Sequence, residues 1–89
     1  MSGAHRAGVY IISVAAGLAS VHPRTLRIYE AQGLIAPVRR NGLRIYSDAD
    51  LERVALIRTL TQGHGVNLAG VRILLALHEA GRFSLDEIA

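Results

Sequence analysis

Arg24 and Arg27 stand one helical turn apart, and Arg39, Arg40 and Arg44 follow around an Asn41-Gly42 pair. Arginine binds phosphate and guanine edges with a planar fork of donors. The first two fall in Arg24-Thr25-Leu26-Arg27-Ile28-Tyr29-Glu30, which reads as a short helix; the others lie on a tight hairpin that begins soon after it. A helix for one groove of DNA and an arginine-bearing wing for the adjacent backbone would use both pieces.

Other chemistries find little support. Asp48, Asp50 and Glu52 cluster, but acids in a first helical turn suit the helix dipole and Asp50 has a capping role open to it. Ser13, Ser20, Ser47 and Ser84 have no histidine pattern or nucleophile elbow beside them. Gly63-His64-Gly65 is too short for a phosphate loop. His5, His22, His64 and His78 lack ligand spacing, and there is no cysteine to complete a metal site. Neither an enzyme, nor a metal, nor a cofactor is expected.

The chain has 89 residues, room for one small domain. Hydrophobic residues make up 51% and charged residues 19%, which allows a packed core; aromatics are 4%, so that core must be aliphatic. Net charge is +3, and all the basic residues other than histidine are arginine, a bias that GC-rich coding would also produce. Without cysteine there are no disulfides in this segment, which fits a cytoplasmic protein. Residues 1–8 carry no apolar signal core and read as a loose tail, and Val9 to Ile12 is too short to span a membrane.

The elements that must position the arginines follow from local signals. Val9 to Ile12 reads as a short strand or a lead into the core. Ser13 reads as the cap of a first helix, from Val14 to about Leu18 or Ala19, with Gly17 inside it. After a turn at Ala19-Ser20-Val21, Pro23 opens the second helix with His22 at its cap, and Gly33 lies just past the end near Gln32. Helix, short turn, helix is the helix-turn-helix arrangement. Asn41-Gly42 predicts a type I′ turn, which sets Arg40 opposite Leu43, Arg39 opposite Arg44 and Val38 opposite Ile45. Ser47 and Asp50 form a capping box for a third helix, to about Gln62, with Leu51, Val54, Ile57 and Leu60 at steps of three. Asn67 caps a fourth, Leu68 to about Ala80, closed by Gly81. Ser84 to Glu87 announces a further helix that the chain barely begins, as a fragment or truncated chain would. The expected division is therefore a tail over 1–8, a winged helix-turn-helix over 9–80, and the start of a helix over 81–89.

On the second helix, Leu26, Tyr29 and Glu30 share one side, taken as core, and Arg24, Arg27, Ile28 and Ala31 the other. The second side reads as a recognition face, with Ile28 or Ala31 placed for a thymine methyl and Thr25 at its edge for a phosphate or a base. A solvated surface that happens to expose an isoleucine is the alternative. In the hairpin, like charges directly opposite are destabilising, so Arg39 and Arg44 are expected to be held for an anion, with Tyr46 pointing outward beside them; edge protection is the alternative. His78 is expected to pack in the core with Val71, Leu74 and Leu75, while Ile73 and Leu77 give the fourth helix a second apolar side.

Thr25-Leu26-Arg27 with Tyr29-Glu30, then Gly33-Leu34-Ile35, Asn41-Gly42 with Arg44 and Tyr46, and Ser47 with Asp50-Leu51 together resemble the MerR family of bacterial transcription regulators, over about Tyr10 to Leu77. Within it, Tyr10 to Ala16 and Gly65 to Val71 look most like the heat-shock repressors of the HspR type. The resemblance implies a mainly α winged helix-turn-helix with four helices and a small β-hairpin wing, a homodimer on an inverted-repeat operator, the second helix in the major groove, and repression with DnaK as a candidate co-repressor. By position it implies DNA contacts from Arg24, Thr25 and Arg27 on the second helix and from Arg39, Arg40, Arg44 and Tyr46 on the wing; Ser13, His22, Ile28 and Asn41 complete the expected DNA-binding set. The chain departs from the family in a wing a few residues shorter than usual, in Ile28 where tyrosine is common, and in Gly17. A MerR-type activator and a small protein-interaction module using the fourth helix remain as the other readings.

Overall fold

In the computed structural model, residues 8–87 are described, and the expected loose tail lies almost wholly outside them. The order is β1 (Tyr10–Ile11), α1 (Ile12–Ala19), α2 (Pro23–Ala31), β2 (Val38–Arg40), β3 (Leu43–Tyr46), α3 (Asp48–Arg58) and α4 (Leu68–Glu79). Two units are distinguished, with the boundary between Ala55 and Leu56 inside α3.

The first unit is the helix-turn-helix with its sheet. β1 runs straight into α1: Ile11 is extended at the cap and Ile12 is already helical. The expected Ser13 cap is therefore overturned, because Ser13 lies within the first turn, exposed, and no side chain caps this end. The small Ala15 and Ala16 are buried and let α1 approach α2 closely. Ser20 closes α1 in the left-handed region at φ 58°, and Val21 N–H donates to Ala16 C=O at 3.0 Å, a Schellman closure on a residue other than glycine. α2 begins at Pro23 as expected, and His22 Nδ1 accepts from Arg24 N–H at 3.0 Å. It ends the same way as α1, with Leu34 N–H bonded to Tyr29 C=O at 2.9 Å across Gly33.

The sheet is antiparallel in the order β1-β3-β2. The hairpin register is the expected one, and Asn41 and Gly42 have φ 51° and 79°, as a type I′ turn demands. β1 adds to the other edge of β3, pairing Tyr10 with Tyr46 and Ile11 with Ile45. Gly8 makes that approach possible: a Cβ there would lie 2.6 Å from Ile45 Cγ2.

The capping box is reciprocal. Ser47 Oγ accepts from Asp50 N–H at 3.0 Å, and Asp50 Oδ2 accepts from Ser47 N–H at 2.9 Å. Tyr10 donates its hydroxyl to Asp48 Oδ1 at 2.7 Å, tying β1 to the start of α3, and Arg53 Nε donates to Leu34 C=O at 2.5 Å, tying α3 to the loop after α2. The buried apolar side chains here include Ala15, Ala16, Leu26, Tyr29, Leu34, Ile35, Tyr46 and Val54, largely aliphatic but with two tyrosines among them.

The second unit holds the rest of α3, which widens into a π-helical turn over Thr59–Gly63. Val66 N–H returns to Leu60 C=O at 2.9 Å, with Gly65 at φ 71° between them. Asn67 caps α4 by accepting from Gly70 N–H at 2.8 Å. Ile57, Leu60, Val71, Leu75 and Leu85 are buried. His78 is half-buried, and its Nδ1 lies 3.2 Å from both Phe83 C=O and Leu85 N–H, so it is held by backbone groups as well as by packing. Ile73 and Leu77 are exposed at 62% and 40%, which leaves the second apolar side of α4 open in this chain. Where a further helix was expected, a 3-10 turn spans Leu85–Glu87. Among the described residues no helix is long and apolar enough to cross a membrane.

Candidate nucleic-acid interface

α2 divides as its periodicity requires. Leu26 and Tyr29 are buried, whereas Arg24, Arg27, Ile28 and Ala31 are exposed, Ile28 by 43%. Thr25 is half-buried at the edge of that face, and His22 is exposed at the helix start. Leu26 and Tyr29 anchor the helix, which sets the side it presents to solvent. The outer side thus offers two guanidinium groups around an apolar patch at the positive end and along the flank of a helix.

The hairpin carries Arg39, Arg40 and Asn41 exposed and Arg44 half-buried. Arg39 and Arg44 face each other as expected, but the anion that holds them is within the chain. Glu30, on α2, accepts from Arg44 Nε through Oε1 at 2.5 Å and pairs through Oε2 with Arg39 Nη2 at 3.4 Å. The Glu30 carboxylate thus offsets the like charges of these two arginines within the chain. The Arg44 bond, aided by both arginine charges, holds the Glu30 carboxyl below the ordinary glutamate range despite its partial burial. In return, Glu30 raises Arg44 above the usual arginine range.

Tyr46 is also corrected. It was expected to point outward beside Arg44, yet it is completely buried. Residues on one face of a strand alternate with those on the other, so Arg44 and Tyr46 do share a face; that face turns inward. Arg44 reaches α2 from it and Tyr46 fills the core. The opposite face of the hairpin leaves Val38 and Leu43 exposed at 45% and 58%. Burial raises the Tyr46 hydroxyl above the usual tyrosine range, and that hydroxyl has no hydrogen-bond partner among the described residues.

Arg24, Arg27 and Arg40 form no side-chain hydrogen bond or ion pair among the described residues. With the more loosely held Arg39, they are the cations that this surface offers. Ser13 is exposed on α1, away from its expected capping role. Two residues with structural work were missed in the sequence. Glu30 gave a signal, since an acid on the core side of a helix calls for a nearby cation. Arg53, which bonds the Leu34 carbonyl, gave none, because its target is a backbone group distant in sequence. Among the described residues no group of histidine, cysteine, aspartate or glutamate is placed to hold a metal ion.

Comparison with known proteins agrees with this geometry. The family described as MerR HTH family regulatory protein matches residues 10–78. The Streptomyces coelicolor protein named heat shock protein HspR is 46% identical over 70 residues, covering 78% of this chain and 46% of that protein. The transcriptional regulator ZntR of Escherichia coli K12 is 37% identical over 71 residues, covering 78% of this chain and 50% of its own. The crystal structure of the transcription regulator PbrR691 from Ralstonia metallidurans CH34, in complex with lead(II), superposes with a TM-score of 0.74 at 26% identity, covering 90% of this chain and 63% of that one. The chain thus spans about half the length of these curated relatives. It belongs to the MerR family of helix-turn-helix transcription regulators.

Proposed function

We propose that this chain is the sequence-specific DNA-binding part of an HspR-like transcription repressor. α2 enters the major groove and the hairpin lies along the flanking backbone. Arg24 and Arg27 reach base edges or phosphates, Ile28 packs against a thymine methyl, and Thr25 and His22 bond the backbone near the helix start. Arg40, Asn41 and the more exposed Arg39 serve the wing, whereas Arg44 acts from behind through its bond to Glu30. The observation that carries this reading is the exposed row of Arg24 and Arg27 around Ile28, the two arginines unpaired among the described residues, on a helix whose other side is buried in the core.

Binding to an inverted repeat by two copies, repression, and a DnaK-type co-repressor follow the likeness to HspR. Selection from a random-sequence duplex pool tests the reading. Enrichment of an inverted repeat, bound with an affinity that falls steeply as salt rises, is the expected result. Failure to enrich any sequence would count against sequence-specific recognition.

A further inference from the structure

Glu30 lies on the core side of α2 yet spends its carboxylate on two wing arginines rather than on any group of its own helix. The two pairs are unequal. Arg44 is close, at 2.5 Å, and its side chain is 28% exposed; Arg39 is at 3.4 Å and 53% exposed. A long, exposed ion pair is weak in water and readily exchanged. Carboxylate and phosphate are recognised by the same guanidinium fork, so a DNA phosphate is a direct competitor for Arg39. Arg39 and Arg44 also stand directly opposite each other, where two positive charges repel. One carboxylate between them removes that repulsion and leaves the trio with a single net positive charge.

We propose that Glu30 is a positioning residue that stands in for a DNA phosphate, fixing the wing to α2 through Arg44 and keeping Arg39 back from DNA that does not present a phosphate in the right place. The wing is then pre-set in angle and partly neutralised when it meets arbitrary duplex. At a site where α2 docks fully, a backbone phosphate takes Arg39 from Glu30 while Arg44 stays. Glu30 thereby contributes to discrimination without touching a base. The inference rests on the DNA-binding reading above.

The test compares the wild-type chain with Glu30→Gln and with the double variant Glu30→Gln/Arg39→Gln, on a random-sequence duplex over a series of salt concentrations. Thermal melting of each protein is recorded alongside. Wild-type chain that fails to bind the duplex even at low salt would remove the DNA-binding reading and this inference with it. With wild-type binding established, Glu30→Gln is expected to bind random duplex several-fold more tightly at low salt, with a log–log salt slope steeper by about one, the mark of one further phosphate contact. The double variant is expected to return to the wild-type slope. A slope in Glu30→Gln equal to or shallower than wild type, in a protein that melts as a folded one, would overturn the inference and leave Glu30 a structural ion pair only. Should Glu30→Gln fail to fold, Arg39→Gln decides instead, on an enriched duplex and a random one: the inference predicts a salt slope shallower by about one on the enriched duplex and a smaller change on the random duplex, and an equal loss of slope on both would overturn it.

Discussion

Tyr10 and Tyr46 are direct partners across β1 and β3, and their hydroxyls have opposite surroundings. Tyr10 donates to Asp48 at 2.7 Å, whereas Tyr46 is completely buried and its hydroxyl has no partner among the described residues. Asp48 also raises the Tyr10 hydroxyl above the usual tyrosine range, first through that hydrogen bond. A buried polar group without a partner costs about 1–3 kcal/mol. Tyr46→Phe should therefore leave stability unchanged or raise it by about 1 kcal/mol, as read by denaturant unfolding. DNA affinity should not change, since the ring and not the hydroxyl is what the core uses. A loss of affinity without loss of stability would restore Tyr46 to the DNA surface.

The Ser47–Asp50 box ends the wing and starts α3 in one step. Ser47→Ala or Asp50→Ala should each cost about 0.5–2 kcal/mol, the usual range for a lost helix cap. Because the two bonds form one unit, the double variant should cost less than the sum of the singles. Additive losses would mean that the two bonds act independently.

Much of this architecture is legible from local chemistry. Ser47 and Asp50 bond within one helical turn, Asn41-Gly42 sets its own dihedrals, and Pro23, Gly33 and Asn67 mark helix ends through groups next to them in sequence. The mainly α fold and the two-sided character of α2 follow from such signals. What stayed hidden depends on pairing across the fold. Ser13 looks like a cap, but β1 enters the sheet and leaves Ile12 as the first helical residue. Period two places Arg44 and Tyr46 on one face without saying which way it turns; it turns inward, where Tyr46 joins the core and Arg44 meets Glu30 of α2. The like-charge pair of Arg39 and Arg44 was visible, but its counter-ion lies on a different element.

Glu30 makes stability pH-dependent in a known direction. Its folded carboxyl is held below the ordinary value of 4.5, chiefly by the Arg44 bond. Its contribution is therefore fully present above that value and is lost as pH falls through the depressed folded value. Thermal melting of wild type and Glu30→Gln should differ at neutral pH and converge in acid. A difference that persists undiminished well below the glutamate range would contradict the ion-pair account.

Gly42 holds φ 79° at the wing tip, where a Cβ meets no neighbour within 4 Å. The penalty of Gly42→Ala is then purely conformational, about 1–2 kcal/mol for a left-handed backbone. The hairpin should fray, and duplex affinity should fall with it, while the Ser47–Asp50 cap remains. Unchanged affinity would show that the wing does not engage the backbone.

The central claim is that the exposed side of α2 reads DNA sequence. The most direct measurement is fluorescence anisotropy of wild type, Arg24→Ala and Arg27→Ala against a duplex enriched by selection and a scrambled duplex, at two salt concentrations. The account predicts salt-sensitive binding that prefers the enriched duplex, with at least one substitution eroding that preference by roughly 1–3 kcal/mol. Equal affinity of the wild-type chain for both duplexes, or a preference that neither substitution alters, would contradict it.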